Sequence, residues 1–199
     1  MSQNNSLNNV LLGSKQSLRQ LLLAQRQTLS EAQKHFRQTV GIKKLIQQLQ
    51  QNYSHICIAL YCPHAAEPNI LGLLTDVQFN SVDTGYSFAL PIVVNKNQPL
   101  QFAKYCAGDV LIKSTYGILV PKQVQWVVPN LILMPCLGYQ RTTNGIYRLG
   151  YGGGYYDRTL AQLSFDADFL GTIAIAWRES SCCFDVDVFD KKADYLLLM

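Results

Sequence analysis

Charge is scarce in this sequence: Asp, Glu, Lys and Arg make up 15% of 199 residues, against 48% hydrophobic ones. That ratio excludes an intrinsically disordered chain, which would be poor in apolar residues and rich in net charge. No apolar run approaches the roughly 18 residues of a bilayer-spanning helix, which excludes a membrane span of that kind. Residues 1–9 are polar and lack a basic segment, and Leu21-Leu22-Leu23 is too short for a signal core, so no secretory leader is read there. The six cysteines (57, 62, 106, 136, 182 and 183) form no CxxC pair and no regular spacing. Cys57 and Cys136 sit in apolar runs, where a free thiol behaves as a small hydrophobe. A reducing, cytoplasmic compartment without a disulfide or zinc framework is the expectation. Repeats, low-complexity tracts and dividing linkers are missing as well. Residues 1–199 are therefore expected to form one domain, with 1–12 flexible.

The charge that is present is unevenly spread. Residues 1–50 carry Lys15, Arg19, Arg26, Lys34, Arg37, Lys43 and Lys44 against Glu31 alone, whereas 165–199 are net acidic. Such a basic arm fits a nucleic acid, a small polyanion such as a nucleotide, or a solvated helix face. Two helices are predicted in it. Ser14 caps the first, whose apolar stripe is Leu18, Leu21, Leu22 and Leu29; Lys15 and Arg19 share a face, with Arg26 two turns beyond Arg19. Ser30 caps the second, which runs through Phe36, Val40, Leu45 and Leu49 and is weakened in its middle by Gly41.

From residue 56 the texture changes to continuous apolar runs, read as buried strands at 56–61, 88–94, 131–134 and 171–176, with 195–199 as the last. Pro68 is expected to open a short helix toward Leu74, residues 95–98 to form a hairpin turn into 100–105, and 157–163 to be helical. Strands alternating with helices imply a three-layer α/β/α domain around a largely parallel central sheet.

The most informative stretch is Arg148-Leu149-Gly150-Tyr151-Gly152-Gly153-Gly154-Tyr155-Tyr156-Asp157-Arg158. Four glycines in five residues let backbone N–H groups approach a ligand closely, and the helix that follows points its free amides and positive dipole end into the loop. That is a phosphate cradle in physical terms, although a plain glycine-rich turn would share the composition. Arg148 and Arg158 flank it as cations, and Asp157 offers the hard oxygen that Mg²⁺ prefers. Its three tyrosines suit stacking on a flat heterocycle. The GxxxxGK[ST] spelling is absent, and GxGxxG fails at Tyr155, which disfavours a dinucleotide oxidoreductase. No serine sits in a GxSxG elbow. Glu67 follows the first buried strand, where ligands of open α/β sheets bind; it could meet a ligand's NH groups or merely start a helix. His64 reads as a surface loop histidine.

Taken in order, these segments resemble the 5-formyltetrahydrofolate cyclo-ligase (5,10-methenyltetrahydrofolate synthetase) family. The resemblance runs through Lys15-x-x-x-Arg19 with Arg26 and Leu29-Ser30, Glu67, Leu90-Pro91, Tyr116-Gly117-Ile118 with Pro121, 131–135 leading to Gly138, the run at 148–158, and Asp194. It implies ATP- and Mg²⁺-dependent cyclisation of 5-formyltetrahydrofolate to 5,10-methenyltetrahydrofolate by a monomer acting on small molecules, with neither nucleic acid nor membrane as partner. It also implies roles. Lys15 and Arg19 would contact ATP, and Arg148, Leu149, Gly150, Tyr151, Gly152, Gly153, Gly154, Tyr155 and Tyr156 would line its phosphates. Glu67 and Tyr151 to Tyr155 would contact the folate, Tyr155 and Arg148 would be catalytic, and Asp157 and Asp194 would serve the magnesium. Several positions depart from the family pattern: about three extra residues lie between Tyr139 and Arg148, and Val120, Gln140, Gly153 and Pro68-Asn69 replace its usual residues. The longer loop leaves a non-catalytic folate- or nucleotide-binding module as the alternative.

Overall fold

A computed structural model describes residues 11–71 and 85–199. In chain order they begin with β1 (Leu11–Leu12), α1 (Lys15–Thr28), α2 (Glu31–Asn52), β2 (Cys57–Ala59), β3 (Ser87–Ile92) and β4 (Gln101–Lys104). A hairpin follows, β5 (Leu111–Lys113) with β6 (Leu119–Pro121), then β7 (Trp126–Val127), β8 (Leu131–Pro135), β9 (Gly138–Thr142) and β10 (Gly145–Leu149). The chain closes with α3 (Tyr155–Leu163), β11 (Gly171–Ala176), a 3-10 turn at Arg178–Ser180, β12 (Cys182–Cys183), β13 (Lys192–Ala193) and β14 (Tyr195–Leu198). Residues 1–10 of the segment expected to be flexible, and the end of the helix expected from Pro68 toward Leu74, lie outside the described residues; Leu11 and Leu12 pair in parallel with Cys182 and Cys183.

Seven strands form the main sheet in the order β14-β11-β8-β2-β3-β4-β7. The first five are mutually parallel, and β4 and β7 add an antiparallel edge. The sheet is thus the mixed, mostly parallel one expected of an α/β protein. Its two faces read directly from the alternation along the strands. Ile58, Leu60, Leu131, Leu133, Ile173 and Ile175 pack with Leu45, Ile46 and Leu49 of α2. Ala59, Ala89, Ile132, Met134, Ala174 and Ala176 pack with Leu160 of α3. The second face is rich in alanine, which leaves room for the rings of Tyr155 and Tyr156 against it. Each fully buried leucine or isoleucine contributes about 1.5–3 kcal/mol.

Both predicted helix caps are present. Ser14 accepts from the Ser17 amide, and Ser30 forms a reciprocal capping box with Gln33. The apolar stripes differ from expectation. Leu18 and Leu22 are buried while Leu21 faces solvent, and in α2 Phe36 is 69% exposed and Val40 is also exposed. Burial of α2 starts at Gly41, where the Met199 side chain occupies the space a Cβ would take. The helix reaches the sheet only there, and its first turns overhang it.

α1 packs on a different layer. With Leu137, Tyr147, Leu149, Cys182 and Phe184 it covers a small antiparallel sheet, ordered β13-β10-β9. Thr143 and Asn144 form the turn of the β9–β10 hairpin, closed by the Thr142 hydroxyl, which accepts from the Asn144 amide at 3.1 Å and donates to the Gly145 carbonyl at 3.2 Å. Gln140 is buried in that hairpin and exchanges two hydrogen bonds with the Phe184 backbone. The uneven charge also finds an internal use: Lys15 pairs with Asp190, and Arg37 with Glu179, joining the basic arm to the acidic C-terminal region.

Candidate functional site

Because β2, β8 and β11 are parallel, the segments leaving their carboxyl ends converge at one end of the sheet. After β2 the chain turns through Cys62–Pro68. Tyr61 donates its hydroxyl to the Pro68 carbonyl at 2.8 Å, and Trp177, at the end of β11, donates its indole N–H to the Ala66 carbonyl at 2.8 Å. Ala65 and Ala66 both hold left-handed φ angles, 45° and 58°, a conformation that costs an alanine about 1–2 kcal/mol. These bonds hold the strained turn and aim Glu67 inward.

Glu67 is 6% exposed, and its Oε2 accepts from the His64 amide at 2.9 Å. Burial raises its carboxyl above the ordinary range; the His64 amide, the Arg26 guanidinium and Tyr151 oppose that shift without cancelling it. Glu67 and the three residues after it, Pro68 to Ile70, are not helical, so the helix expected to open at Pro68 does not begin there, and of the two readings left open by the position of Glu67 the inward-facing carboxyl is the one observed. His64 is exposed in a loop, as expected, and lies edge-on to Tyr151 with ring centroids 5.7 Å apart.

The glycine loop faces this turn from the other side. It leaves β10 at Leu149 and enters α3 at Gly154, whose φ of 62° suits glycine and which offers no side-chain cap. The first amides of α3 thus stay available to an acceptor. Gly152 adopts φ 96°, and a Cβ there would lie 3.3 Å from the Arg19 Cζ. α1 closes the third side: Arg19 Nε donates to the Gly150 carbonyl at 2.9 Å, and Arg26 Nη1 donates to the Tyr151 hydroxyl at 2.9 Å.

Arg148 is almost fully buried. Its guanidinium lies 4.9 Å over the Tyr156 ring and donates to Asp157 Oδ2 at 3.0 Å. Asp157 Oδ1 accepts the Lys191 amide at 3.2 Å. Arg158 lies 5.1 Å over Tyr155, whose ring also meets Tyr116 of the β5–β6 hairpin edge-on. Of the three loop tyrosines Tyr151 is the most exposed, at 42%; Tyr155 and Tyr156 are half-buried against the alanine-rich face.

Most residues singled out from sequence thus meet at one place: Arg19, Glu67, Arg148, the loop 150–156 and Asp157. Lys15, one turn before Arg19 on α1, is held by Asp190 and lies 5.5 Å over Phe184. Asp194 stands apart from Glu67 and Trp177, at the opposite, amino end of β11, where its Oδ2 accepts both the amide and the hydroxyl of Thr172 at 2.8 Å. No group of three or more His, Cys, Asp and Glu side chains able to hold a metal occurs among the described residues. Sequence reading placed Arg26 beside Arg19 but assigned it nothing; its eight-residue spacing from Leu18 through Leu22, which marks a buried stripe, was the available signal. Cys136 is fully buried, and burial raises its thiol to about 12, which disfavours the thiolate. A cleft of about 370 Å³ between β7 and α3, lined by Phe102, Trp126, Val127, Thr159 and Leu163, carries no charged group and offers nothing for phosphate chemistry.

These elements define an α/β protein of the open-sheet type, with a glycine loop that opens a helix beside convergent arginines. Residues 12–185 match the model of the 5-formyltetrahydrofolate cyclo-ligase family, and the chain belongs to that family. It is 29% identical over 126 residues to a 5-formyltetrahydrofolate cyclo-ligase of Mycolicibacterium smegmatis, covering 58% of this chain and 60% of that one. It is 32% identical over 90 residues to a 5-formyltetrahydrofolate cyclo-ligase of Mycoplasma pneumoniae, covering 44% and 51%. The matched region thus spans between half and three-fifths of these curated relatives' length. Among solved structures, a 5,10-methenyltetrahydrofolate synthetase from Mycoplasma pneumoniae superposes with a TM-score of 0.72 at 23% identity, over 93% of this chain and 98% of that one. A 5,10-methenyltetrahydrofolate synthetase from Aquifex aeolicus gives 0.66 at 25%, over 92% and 89%.

Proposed function

We propose that this protein converts 5-formyltetrahydrofolate and ATP into 5,10-methenyltetrahydrofolate, ADP and phosphate. The observation that carries this reading is the meeting of Arg19 and Arg148, the uncapped start of α3, and the buried Glu67 around one loop. A triphosphate needs the first set, and a heterocycle bearing NH groups needs the last.

The oxygen of the N5-formyl group is a weak nucleophile and, unless phosphorylated, a poor leaving group. Its attack on the γ-phosphorus breaks the bond to the β,γ-bridging oxygen and releases ADP. N10 then attacks the formyl carbon, phosphate departs with the former formyl oxygen, N10 loses its proton, and the N5–CH–N10 bridge remains as the methenyl cation. Such phosphoryl transfer depends on positioning and charge stabilisation more than on covalent help. In this reading the loop amides, Arg19, Lys15 and Arg148 stabilise the phosphate charge, Tyr155 borders the transferring group, and Glu67 with Tyr151 orients the pteridine.

Magnesium, when bound, would neutralise phosphate charge. It accepts one or two carboxylates and retains waters. Asp157 fits as one such carboxylate beside the loop, because its side chain is partly exposed, although both its oxygens already accept donors. Asp194 is held by Thr172 at the other end of β11, so its magnesium role rests on the family resemblance alone. The deciding assay follows the near-ultraviolet absorbance of the methenyl product with and without ATP, 5-formyltetrahydrofolate being the only folate. An ATP-dependent rise is expected. Folate binding without that rise would make the protein a binding module instead.

A further inference from the structure

Arg26 has no place in the chemistry above, yet at 2% exposure it is the more deeply buried of the two buried arginines. A cation there is costly unless its donors are well used. Following Leu18 and Leu22 on the buried stripe of α1, a leucine or methionine would fill the position more simply. No carboxylate forms an ion pair with Arg26 among the described residues. Its acceptors are instead three neutral oxygens from three separate segments. Nη1 donates to the Tyr151 hydroxyl at 2.9 Å and to the Ala65 carbonyl at 3.4 Å, and Nη2 donates to the Cys136 carbonyl. Tyr151 belongs to the glycine loop, Ala65 to the strained turn before Glu67, and Cys136 follows β8 in the rigid sheet. One planar guanidinium thus ties both walls of the folate end to the core, which its fork geometry suits and a lysine ammonium does not.

We propose that Arg26 is a positioning residue for the folate end of the site: it sets the gap between Glu67 and Tyr151, and with it the orientation of the pteridine, without touching the reacting atoms. The inference rests on the cyclo-ligase reading above. Glu67 is fixed to its own turn by the His64 amide, so its placement depends on where Ala65 is held. Tyr151 is 42% exposed, and its hydroxyl accepts from Arg26 at 2.9 Å and donates to the His64 carbonyl at 3.4 Å, so the shorter of the two bonds that set its ring direction is the one to Arg26. A displacement of about 1 Å in such a pair can reduce turnover by about a hundredfold.

The test compares Arg26→Met, Arg26→Lys, Tyr151→Phe and the Arg26→Met/Tyr151→Phe double variant with the wild type, varying formylfolate and ATP separately and recording thermal unfolding. Arg26→Met is expected to lower kcat/KM for the folate by about tenfold to a hundredfold, with the KM for ATP within about twofold. Arg26→Lys should recover little. The double variant should be no worse than Arg26→Met alone, because both changes break one tether. Additive losses, or equal rises in both KM values, would overturn the proposal. If Arg26→Met does not fold, Tyr151→Phe decides: a selective folate defect supports the tether, and unchanged folate kinetics remove it. Equilibrium titration with 5-formyltetrahydrofolate without ATP reads the same ordering of variants. A wild type that binds but does not turn over thus defeats the cyclo-ligase reading alone, and one that does neither defeats both.

Discussion

Arg148 and Asp157 face each other across the glycine loop, Nη2 to Oδ2 at 3.0 Å, and close the segment that separates β10 from α3. The guanidinium is buried and the carboxylate partly exposed, so the pair has an anchored end and an accessible one. The Arg148 Nε, buried without a partner among the described residues, adds an unmet donor beside it. The loop amides are thereby held in place before any ligand arrives, which reduces the ordering cost of binding.

Asp157→Asn tests that arrangement. Asparagine retains an acceptor for Arg148 or for the Lys191 amide and removes the negative charge. Thermal unfolding should change little, by the ~1 kcal/mol of a weakened hydrogen bond, while the magnesium concentration needed for half-maximal activity rises. Titration of activity with magnesium at saturating ATP reads the effect. Asp157→Ala should also lower stability, because Arg148 then stays buried with neither a counter-charge nor a side-chain acceptor at that position.

Glu67→Gln should separate stability from function. Burial raises the Glu67 carboxyl above its ordinary 4.5, so the folded state holds its proton more tightly than the unfolded chain does. The wild type consequently loses stability as pH rises from near 4.5 through the raised folded value, and carries that penalty at neutral pH. Glutamine stays neutral and can still accept from the His64 amide. The variant should flatten the stability profile across that window and unfold no earlier than the wild type at pH 7, while its KM for the folate rises and its KM for ATP stays put. Denaturant unfolding at a series of pH values, beside steady-state kinetics, checks both halves.

The sheet was legible in sequence because its strands are continuous apolar runs, and both long helices announced themselves through Ser14 and Ser30. The small sheet was not. β9 and β10 carry mixed residues such as Gln140, Arg141 and Arg148, and the burial of Gln140 and Tyr147 comes from contacts with Phe184 and α1, distant in sequence. The exposed Leu21, Phe36 and Val40 misled for the converse reason: helical spacing marks a face, but only the sheet's extent decides how much of that face is covered. The loop, its arginines and Glu67 could be read because glycine clustering and position after a strand are local signals. That Arg26 would tie them together depends on a helix docking across three segments, which no local pattern records.

Gly138→Ala probes that docking. A Cβ at Gly138 would lie 2.6 Å from Leu22 Cδ1, 2.7 Å from Cys182 Sγ and 3.2 Å from the Ser180 carbonyl. The first two belong to the tight core between α1 and the small sheet, and the third is backbone, so relief requires α1 to shift. A loss of about 1–3 kcal/mol is expected from overpacking. Because Arg19 and Arg26 ride on α1, kcat/KM for both substrates should fall with it, unlike the selective effect expected at Glu67. Chemical denaturation and kinetics on the same sample distinguish the two patterns.

Lys15 offers the opposite case, a residue whose removal should matter little to the fold. Its pair with Asp190 is partly exposed on both sides, and such pairs contribute about 0–1 kcal/mol. If the ammonium's task is to meet a nucleotide phosphate, Lys15→Ala should leave the unfolding temperature nearly unchanged and raise the KM for ATP by about tenfold, the loss of one charge-assisted hydrogen bond. Asp190 sharpens the comparison. Its carboxylate holds Lys15 in the structure, so ATP must compete with it for the same ammonium. Asp190→Asn keeps an oxygen for the Asp187 amide but weakens that competition, and should lower the KM for ATP. Opposite shifts from the two variants, at constant folate KM, identify Lys15 as a phosphate contact. Parallel shifts would mean that the pair serves only to fasten residues 185–190 to α1.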